Sequence, residues 1–198
     1  MSFLKKRGLI PLLVVLGFCS LGVLAQYLPG VTVKALDSAV TNVMPGEKQT
    51  SQHLWLVPDS IYDGDTLRVT DGKTETKIRF CGIDAPEKDQ PMGIIAHDHL
   101  RELVAKGDGG KIIVVPVEKD RYGRTVADLF VPLPDTEEEI HLNSQMVMDG
   151  MAYHYERYSN SCPHVEILVK AEAIAKKRSA GVWANPGAEK PWEYRQRN

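Results

Sequence analysis

The chain has 198 residues and a formal net charge of −2, and 43% of its residues are hydrophobic and 25% charged. These values fit one globular domain with an extension, and they exclude an intrinsically disordered chain. Residues 1–25 contain three basic residues and no acidic ones, so the rest carries 21 basic and 26 acidic residues, a charge of −5. This acidic body argues against tight, non-specific binding to duplex nucleic acid, which needs a basic surface.

The N-terminus has the pattern of an export or anchoring segment. A basic cluster, Lys5-Lys6-Arg7, precedes an uncharged apolar run from Gly8 to Ala25. The run predicts an apolar helix that is either a signal cleaved after Val23-Leu24-Ala25 or a retained membrane anchor. Either way we expect an extracytoplasmic body that is secreted, periplasmic or membrane-tethered, because the positive charge stays inside. Residues 26–52 contain two Pro-Gly pairs and a polar run, Glu47–Gln52, and predict a linker.

The body, residues 53–185, predicts an α+β fold. β-Branched and apolar runs indicate five strands at Leu54–Val57, Thr66–Val69, Thr76–Ile83, Lys111–Val117 and Val126–Val131. Apolar residues at helical spacing indicate three helices, one from Pro91 to Lys106, one from Asn143 to Met148, and one that opens at Pro163 and stops before Gly181. The tail, residues 186–198, holds prolines and charges and is predicted to be loose.

A hairpin carries the most informative acids. Asp71-Gly72 separates the second and third predicted strands, and Gly accepts the positive φ that a tight turn requires. Asp63 and Asp65 precede this hairpin, and Asp84 and Glu87 follow it. A hairpin brings its outer ends together, so we expect these carboxylates to converge. Arg79 lies in the second strand of the hairpin, and carboxylates beside an arginine suggest a hard cation and a phosphate.

Three motifs in one order give this stretch a family resemblance. They are Asp63-Gly64-Asp65-Thr66, then Arg79 with Asp84-Ala85-Pro86-Glu87, then Asp120-Arg121-Tyr122-Gly123-Arg124. On these motifs, residues 55–185 resemble the staphylococcal nuclease (thermonuclease) family. The resemblance implies an OB-type barrel of five strands that carries about three α-helices. It also implies Ca²⁺-dependent hydrolysis of phosphodiester bonds in DNA and RNA, with release of the 5′-oxygen and 3′-phosphate products.

The resemblance assigns metal ligands to this chain. Asp65 and Asp84 match the family's ligands, with the backbone carbonyl of Ala85 as a third, and such oxygens suit Ca²⁺. The family usually has Thr at the position of Ala85, a change that keeps a carbonyl ligand but removes a hydroxyl. Asp63 matches a motif acid that need not touch the metal.

The resemblance also assigns catalytic residues. Arg79 and Arg124 match the arginines that contact the phosphate, because a planar guanidinium can donate two hydrogen bonds to phosphate oxygens. Glu87 matches the proposed general base, which deprotonates or orients the attacking water. A non-catalytic nucleic-acid-binding module on the same fold is the alternative. A family member that had lost its activity would be expected to lack some of the catalytic residues. Here Arg79, Asp84, Glu87 and Arg124 are all present.

Tyrosines near these motifs are candidates for substrate contact. The candidates are Tyr122, Tyr153 and Tyr155, whose rings could stack on a base or contact a phosphate. The alternative for each is a structural role in the core or at the rim of the barrel. The implied substrate is DNA or RNA in single-stranded or unwound form, and no protein partner is implied.

The cysteines and histidines indicate function less clearly than these motifs. Cys81 lies in an apolar strand, which predicts a buried free thiol. The alternative is a disulfide between Cys81 and Cys162, which an exported protein could form. The six histidines show no zinc-binding spacing, and His97 and His99 are predicted to lie on the surface.

Overall fold

The computed structural model describes residues 50–197, which form a β-barrel flanked by helices. The predicted apolar helix of residues 1–25 and nearly all of the predicted linker lie outside the described residues. Within residues 50–197, no helix combines the length and apolar character needed to cross a membrane.

The described part of the chain contains eight strands and four α-helices. The strands are β1 (Gln52–Leu56), β2 (Thr66–Thr70), β3 (Glu75–Phe80), β4 (Ile83–Asp84), β5 (Lys111–Lys119), β6 (Thr125–Pro132), β7 (Glu139–His141) and β8 (Tyr153–His154). The helices are α1 (Gly93–Ala105), α2 (Leu142–Met148), α3 (Val165–Arg178) and α4 (Pro191–Arg197).

Five of the strands close into a ring. Antiparallel pairs join β3 to β2, β2 to β1, β1 to β5 and β5 to β6. A parallel pair between β6 and β3 closes the barrel, with Phe80 opposite Ala127. The five strands and the barrel are therefore confirmed. Strand β7 extends the sheet beyond β6, and β4 pairs with β8 in a separate two-stranded sheet.

Alternating apolar side chains fill the barrel, and helices α1 and α2 cover it. Leu67, Ile78, Phe80, Ile112 and Leu129 are fully buried in one apolar cluster. Burial of each such side chain contributes about 1.5–3 kcal/mol relative to exposure. The same cluster includes Ala96, Leu100 and Leu103 of α1 and Leu142 and Met146 of α2. The barrel therefore provides a rigid base for the loops at its rim.

The hairpin prediction is confirmed. Strands β2 and β3 pair antiparallel across this turn, with Thr66 opposite Arg79. Gly72 adopts a φ of 90° in the turn, and the Asp71 carboxylate accepts hydrogen bonds from the backbone amides of Lys73 and Thr74 at 2.8 and 2.7 Å. Local sequence alone specifies this turn, because Asp caps it and Gly tolerates positive φ.

Strand β3 does not continue to Ile83 as the apolar run predicts. It ends at Phe80, the chain turns at Gly82 with a φ of 69°, and β4 starts a new sheet with β8. A Cβ at position 82 would lie 2.6 Å from the Leu168 side chain, so only glycine fits there. This turn points Asp84 back towards Arg79.

A disulfide joins Cys81 to Cys162, with their Cα atoms 5.8 Å apart. The prediction of a buried free thiol at Cys81 is therefore wrong, and the pairing that the sequence left open is the one found. The bond ties the end of the hairpin to the segment that leads into α3.

Two other predictions need correction. The tail predicted to be loose contains α4, whose Pro191 is buried. His97 is buried rather than on the surface, and its ring nitrogens lie 3.2 Å from the Ile61 carbonyl and 2.9 Å from Asp98. His99 is partly exposed and binds the Asp149 carboxylate at 2.8 Å.

Candidate active site

The two ends of the hairpin meet, as the sequence predicts, and Arg79 links them. Its guanidinium forms an ion pair with Asp65, donates a 2.6 Å hydrogen bond to Asp84 Oδ1 and donates another, of 3.1 Å, to the Ile83 carbonyl. Burial lowers the pKa of Arg79 and the Asp84 charge opposes that effect, but a guanidinium stays protonated at any ordinary pH. Arg79 therefore holds both predicted metal ligands in one cluster.

Asp65 lies against the segment that contains Ala85. Its Oδ2 accepts a 2.6 Å hydrogen bond from the Ala85 amide, and its Oδ1 accepts one of 3.0 Å from the Thr66 hydroxyl. A Cβ on Gly64 would lie 2.8 Å from the Ala85 side chain, so the Asp-Gly-Asp motif needs its glycine for this close approach. Asp65, Asp84 and Ala85 thus form one oxygen-rich group.

The neighbouring acid Asp63 has a different environment. Burial raises the pKa of Asp63, and Arg79 and the hydrogen bonds from Thr66 only partly offset that effect. Its Oδ1 accepts a 3.0 Å hydrogen bond from the Asp65 amide. Asp63 therefore orients the backbone of Asp65.

Glu87 lies in a short loop that is held by its own backbone. The Glu87 amide donates to the Gln90 side chain at 2.9 Å, and the Gln90 amide donates back to the Glu87 carbonyl at 2.8 Å. A Cβ on Gly93, the first residue of α1, would overlap that carbonyl, so glycine is required where the loop meets the helix. Glu87 is thereby fixed close to Asp84.

An arginine that the sequence analysis missed completes the cluster. Arg195 of α4 donates to both oxygens of Asp84, at 3.1 and 2.6 Å, and to Glu87 Oε1 at 2.7 Å. Burial lowers the pKa of Arg195, but the hydrogen bonds to Asp84 and Glu87 raise it by more. The side chain is nonetheless 41% exposed.

Packing of α4 holds Arg195 at this place. Trp192 stacks on Tyr155 with ring centroids 4.9 Å apart, and the Gln90 side chain donates to the Glu189 carbonyl at 3.3 Å. A helix signal was present in the sequence: Pro191 at the first position, Glu193 in the first turn and basic residues in the last.

Arg124 approaches the cluster from the loop between β5 and β6. Asp120 accepts a 2.7 Å bond from Arg124 Nε and a 2.9 Å bond from its amide, which fixes the loop. Burial dominates the raised pKa of Asp63 and the lowered pKa of Arg79, but the Arg124 charge acts on both groups, so it lies within electrostatic reach of the site. Tyr122, in the same loop, is 68% exposed and lies against the Arg124 guanidinium.

The other two tyrosines differ in accessibility. Tyr153 is 2% exposed, donates to the Val182 carbonyl at 3.3 Å and packs edge-on against Trp183, which favours the core interpretation over substrate contact. Tyr155 is half-buried, and burial and the Asp84 charge raise its pKa. Of the three predicted tyrosines, Tyr122 and Tyr155 are therefore the ones that a ligand can reach.

A closed five-stranded barrel of this kind places the protein in the OB-fold class, whose members bind oligonucleotides or oligosaccharides. A family model described as staphylococcal nuclease homologue matches residues 77–185. The chain belongs to this staphylococcal nuclease homologue family, and the OB-type barrel is the fold of that domain.

Bacterial relatives match the same body. A micrococcal nuclease from Shigella flexneri is 33% identical over 139 residues, which cover 69% of this chain and 77% of that protein. An uncharacterized endonuclease from Escherichia coli O157:H7 is 36% identical over 137 residues, covering 69% and 82%. A further uncharacterized endonuclease, from Haemophilus influenzae, is 34% identical over 137 residues, covering 69% and 70%.

Proposed function

We propose that this protein is a Ca²⁺-dependent nuclease that hydrolyses phosphodiester bonds of single-stranded or unwound DNA and RNA outside the cytoplasm. The observation that carries the proposal is the convergence of Asp65, Asp84, Glu87 and Arg79 at one rim of the barrel. The family membership and the nuclease names of the relatives support the same activity.

The residues present fit a calcium ion. Asp65 and Asp84 are buried acids held by a shared arginine, and the amide of Ala85, the residue whose carbonyl is the predicted third ligand, donates to the Asp65 carboxylate. Carboxylate and carbonyl oxygens are the ligands that Ca²⁺ prefers. When bound, the ion would polarise a phosphoryl oxygen and offset developing negative charge.

The side chains supply the rest of the reaction. Glu87 would accept a proton from a water, or orient it, for in-line attack on phosphorus. Arg79 and Arg124 would donate hydrogen bonds to the phosphate oxygens and stabilise the extra charge of the pentacoordinate state. Tyr122 and Tyr155 would contact the neighbouring base or phosphate.

Digestion separates this proposal from a non-catalytic binding module. Full-length protein should cleave plasmid DNA and RNA in Ca²⁺ and lose activity in excess chelator. Binding of both nucleic acids without cleavage under any metal condition would favour the binding module instead.

Asp65→Asn should weaken Ca²⁺ binding by about tenfold, because it removes a charged ligand from an all-oxygen site. Calorimetric titration measures this effect, and Mg²⁺ should replace Ca²⁺ poorly because it demands a tighter octahedral site. Asp71→Asn, in the exposed hairpin turn, is the matched control. Equal Ca²⁺ affinity in Asp65→Asn and the parent protein would remove Asp65 from the ligand set.

Arg195 competes with a cation for Asp84, since its guanidinium binds both Asp84 oxygens. Arg195→Ala should therefore raise Ca²⁺ affinity severalfold, a modest gain because the ion pair is partly solvated. Calorimetry checks this, with Arg197→Ala as control, because Arg197 lies on the same helix and pairs with Glu189 instead. Unchanged or weaker Ca²⁺ binding in Arg195→Ala would show that the arginine does not oppose the metal.

The extracytoplasmic location rests on the N-terminal sequence and is supported by the disulfide, because such bonds persist in oxidising compartments. Cell fractionation should recover the protein in the medium, in the periplasm or on the outer side of a membrane, either cleaved or tethered by residues 1–25. Full-length, soluble protein in the cytoplasm would contradict this expectation.

A further inference from the structure

Two histidines and an aspartate meet on the side of the barrel formed by β6 and β7. Asp128 lies in β6, His141 ends β7, and His164 directly precedes α3. One ligand atom from each residue lies within 4.8 Å of the others. Asp128 and His141 are 1% and 2% exposed, whereas the His164 side chain is 24% exposed. The group is thus buried on one side and open on the other.

His141 has a buried nitrogen without a hydrogen-bond partner. Its Nδ1 lies 3.0 Å from the Ser144 hydroxyl, but its Nε2 has no hydrogen-bond partner within residues 50–197. Asp128 Oδ2 lies 3.6 Å from this Nε2, too far for a hydrogen bond. A buried polar atom without a hydrogen-bond partner lowers the stability of the folded state, and such atoms are rare unless they bind a water or an ion.

The hydrogen bonds of Ser144 favour one tautomer of His141. The Ser144 hydroxyl donates to the His141 carbonyl at 3.3 Å, so its oxygen is free to accept the Nδ1 proton. The neutral ring then presents the bare lone pair of Nε2 towards the Asp128 carboxylate. Two electron-rich atoms that face each other in a buried place repel, and a cation between them would turn the repulsion into two favourable bonds.

Neighbouring side chains fix the orientation of Asp128 and His141. Asn143 donates to Asp128 Oδ1 at 3.2 Å and accepts a 3.0 Å bond from the Leu129 amide. Phe130 stacks on the His141 ring with centroids 4.7 Å apart. Outer groups that fix ligand rings and carboxylates in this way are typical of metal sites.

We propose that Asp128, His141 and His164 bind one divalent transition-metal ion of the zinc class, separate from the Ca²⁺ site. Two imidazoles and one carboxylate are a ligand set that Zn²⁺ accepts, with water completing a tetrahedron from the exposed side of His164. Tetrahedral ligand atoms at zinc bond lengths lie roughly 3.3 Å apart. His164 Nδ1 is now 2.7 Å from Asp128 Oδ2 and would move slightly outward.

Such an ion would crosslink three elements. It would tie β6, the end of β7 and the start of α3 together two residues from Cys162, so metal and disulfide would brace the same segment. The acids of the candidate active site come from other elements, the ends of the hairpin and β4.

The test uses full-length protein that is stripped with chelator and then supplied with Zn²⁺ or Co²⁺ in excess Ca²⁺. We expect one bound ion per chain by elemental analysis and the visible absorption of tetrahedral Co²⁺. Free Zn²⁺ at about 100 times its Kd should raise the thermal midpoint by roughly 5–10 °C.

Two variants and a control make the result specific. His164→Ala, a change at a partly exposed position, should abolish the bound ion, the Co²⁺ absorption and the shift, whereas His53→Ala, at an exposed position of β1, should keep all three. Asp65→Asn should also keep them, because it alters only the Ca²⁺ ligands. Substoichiometric metal in the parent protein, or equal binding in His164→Ala, would overturn the proposal.

Discussion

Glu87→Gln is expected to keep Ca²⁺ and nucleic-acid binding but to lower single-turnover hydrolysis by at least ~10²-fold. That loss is typical of removing a general base, and glutamine keeps the shape of the side chain. Gln90 and Gly93 fix the loop through its backbone, so the substitution should not move the neighbouring acids. Calorimetry for Ca²⁺ and rapid-quench cleavage for the chemistry separate the two effects.

The matched control for this variant is Glu75→Gln on the opposite end of the hairpin. Glu75 is half-exposed and pairs with Arg68, away from the carboxylate cluster. The Glu75→Gln variant should therefore cleave at the parent rate. Parent-level cleavage by Glu87→Gln would instead show that Glu87 neither deprotonates nor positions the attacking water, and the assigned mechanism would be wrong.

Arg79→Lys should lower turnover by about 10- to 100-fold although the charge is retained. The guanidinium spans Asp65, Asp84 and the Ile83 carbonyl at once, and a single ammonium cannot reproduce that planar array or donate a bidentate pair to phosphate. Steady-state cleavage measures the loss, with thermal unfolding to verify that the variant is folded.

Arg68→Lys on the neighbouring strand controls for the substitution itself. Arg68 pairs with Glu75 at the surface of the hairpin at 2.9 Å, so its exchange should leave turnover unchanged. If a folded Arg79→Lys variant matches the parent turnover, Arg79 is a structural ion-pair residue and does not contact the phosphate.

The sequence by itself determined the local parts of this protein. The Asp71-Gly72 turn and the pairing of β2 with β3 follow from short-range backbone preferences and strand alternation, and this pairing brings Asp65 near the strand that leads to Asp84. The helices α1 and α3 follow from apolar periodicity that is bounded by Pro and Gly. Three motifs in order sufficed for the family, because each is contiguous or nearly so.

Only the tertiary structure decided the contacts between distant parts of the chain. Arg195 reaches Asp84 across 111 positions, and the disulfide spans 81. Sequence spacing carries no signal for such pairs, because they depend on how helices pack against the closed barrel. The same packing buried Tyr153 and brought His141 and His164 to Asp128. Local preferences thus set the ends of the hairpin, and long-range packing chose the partners around them.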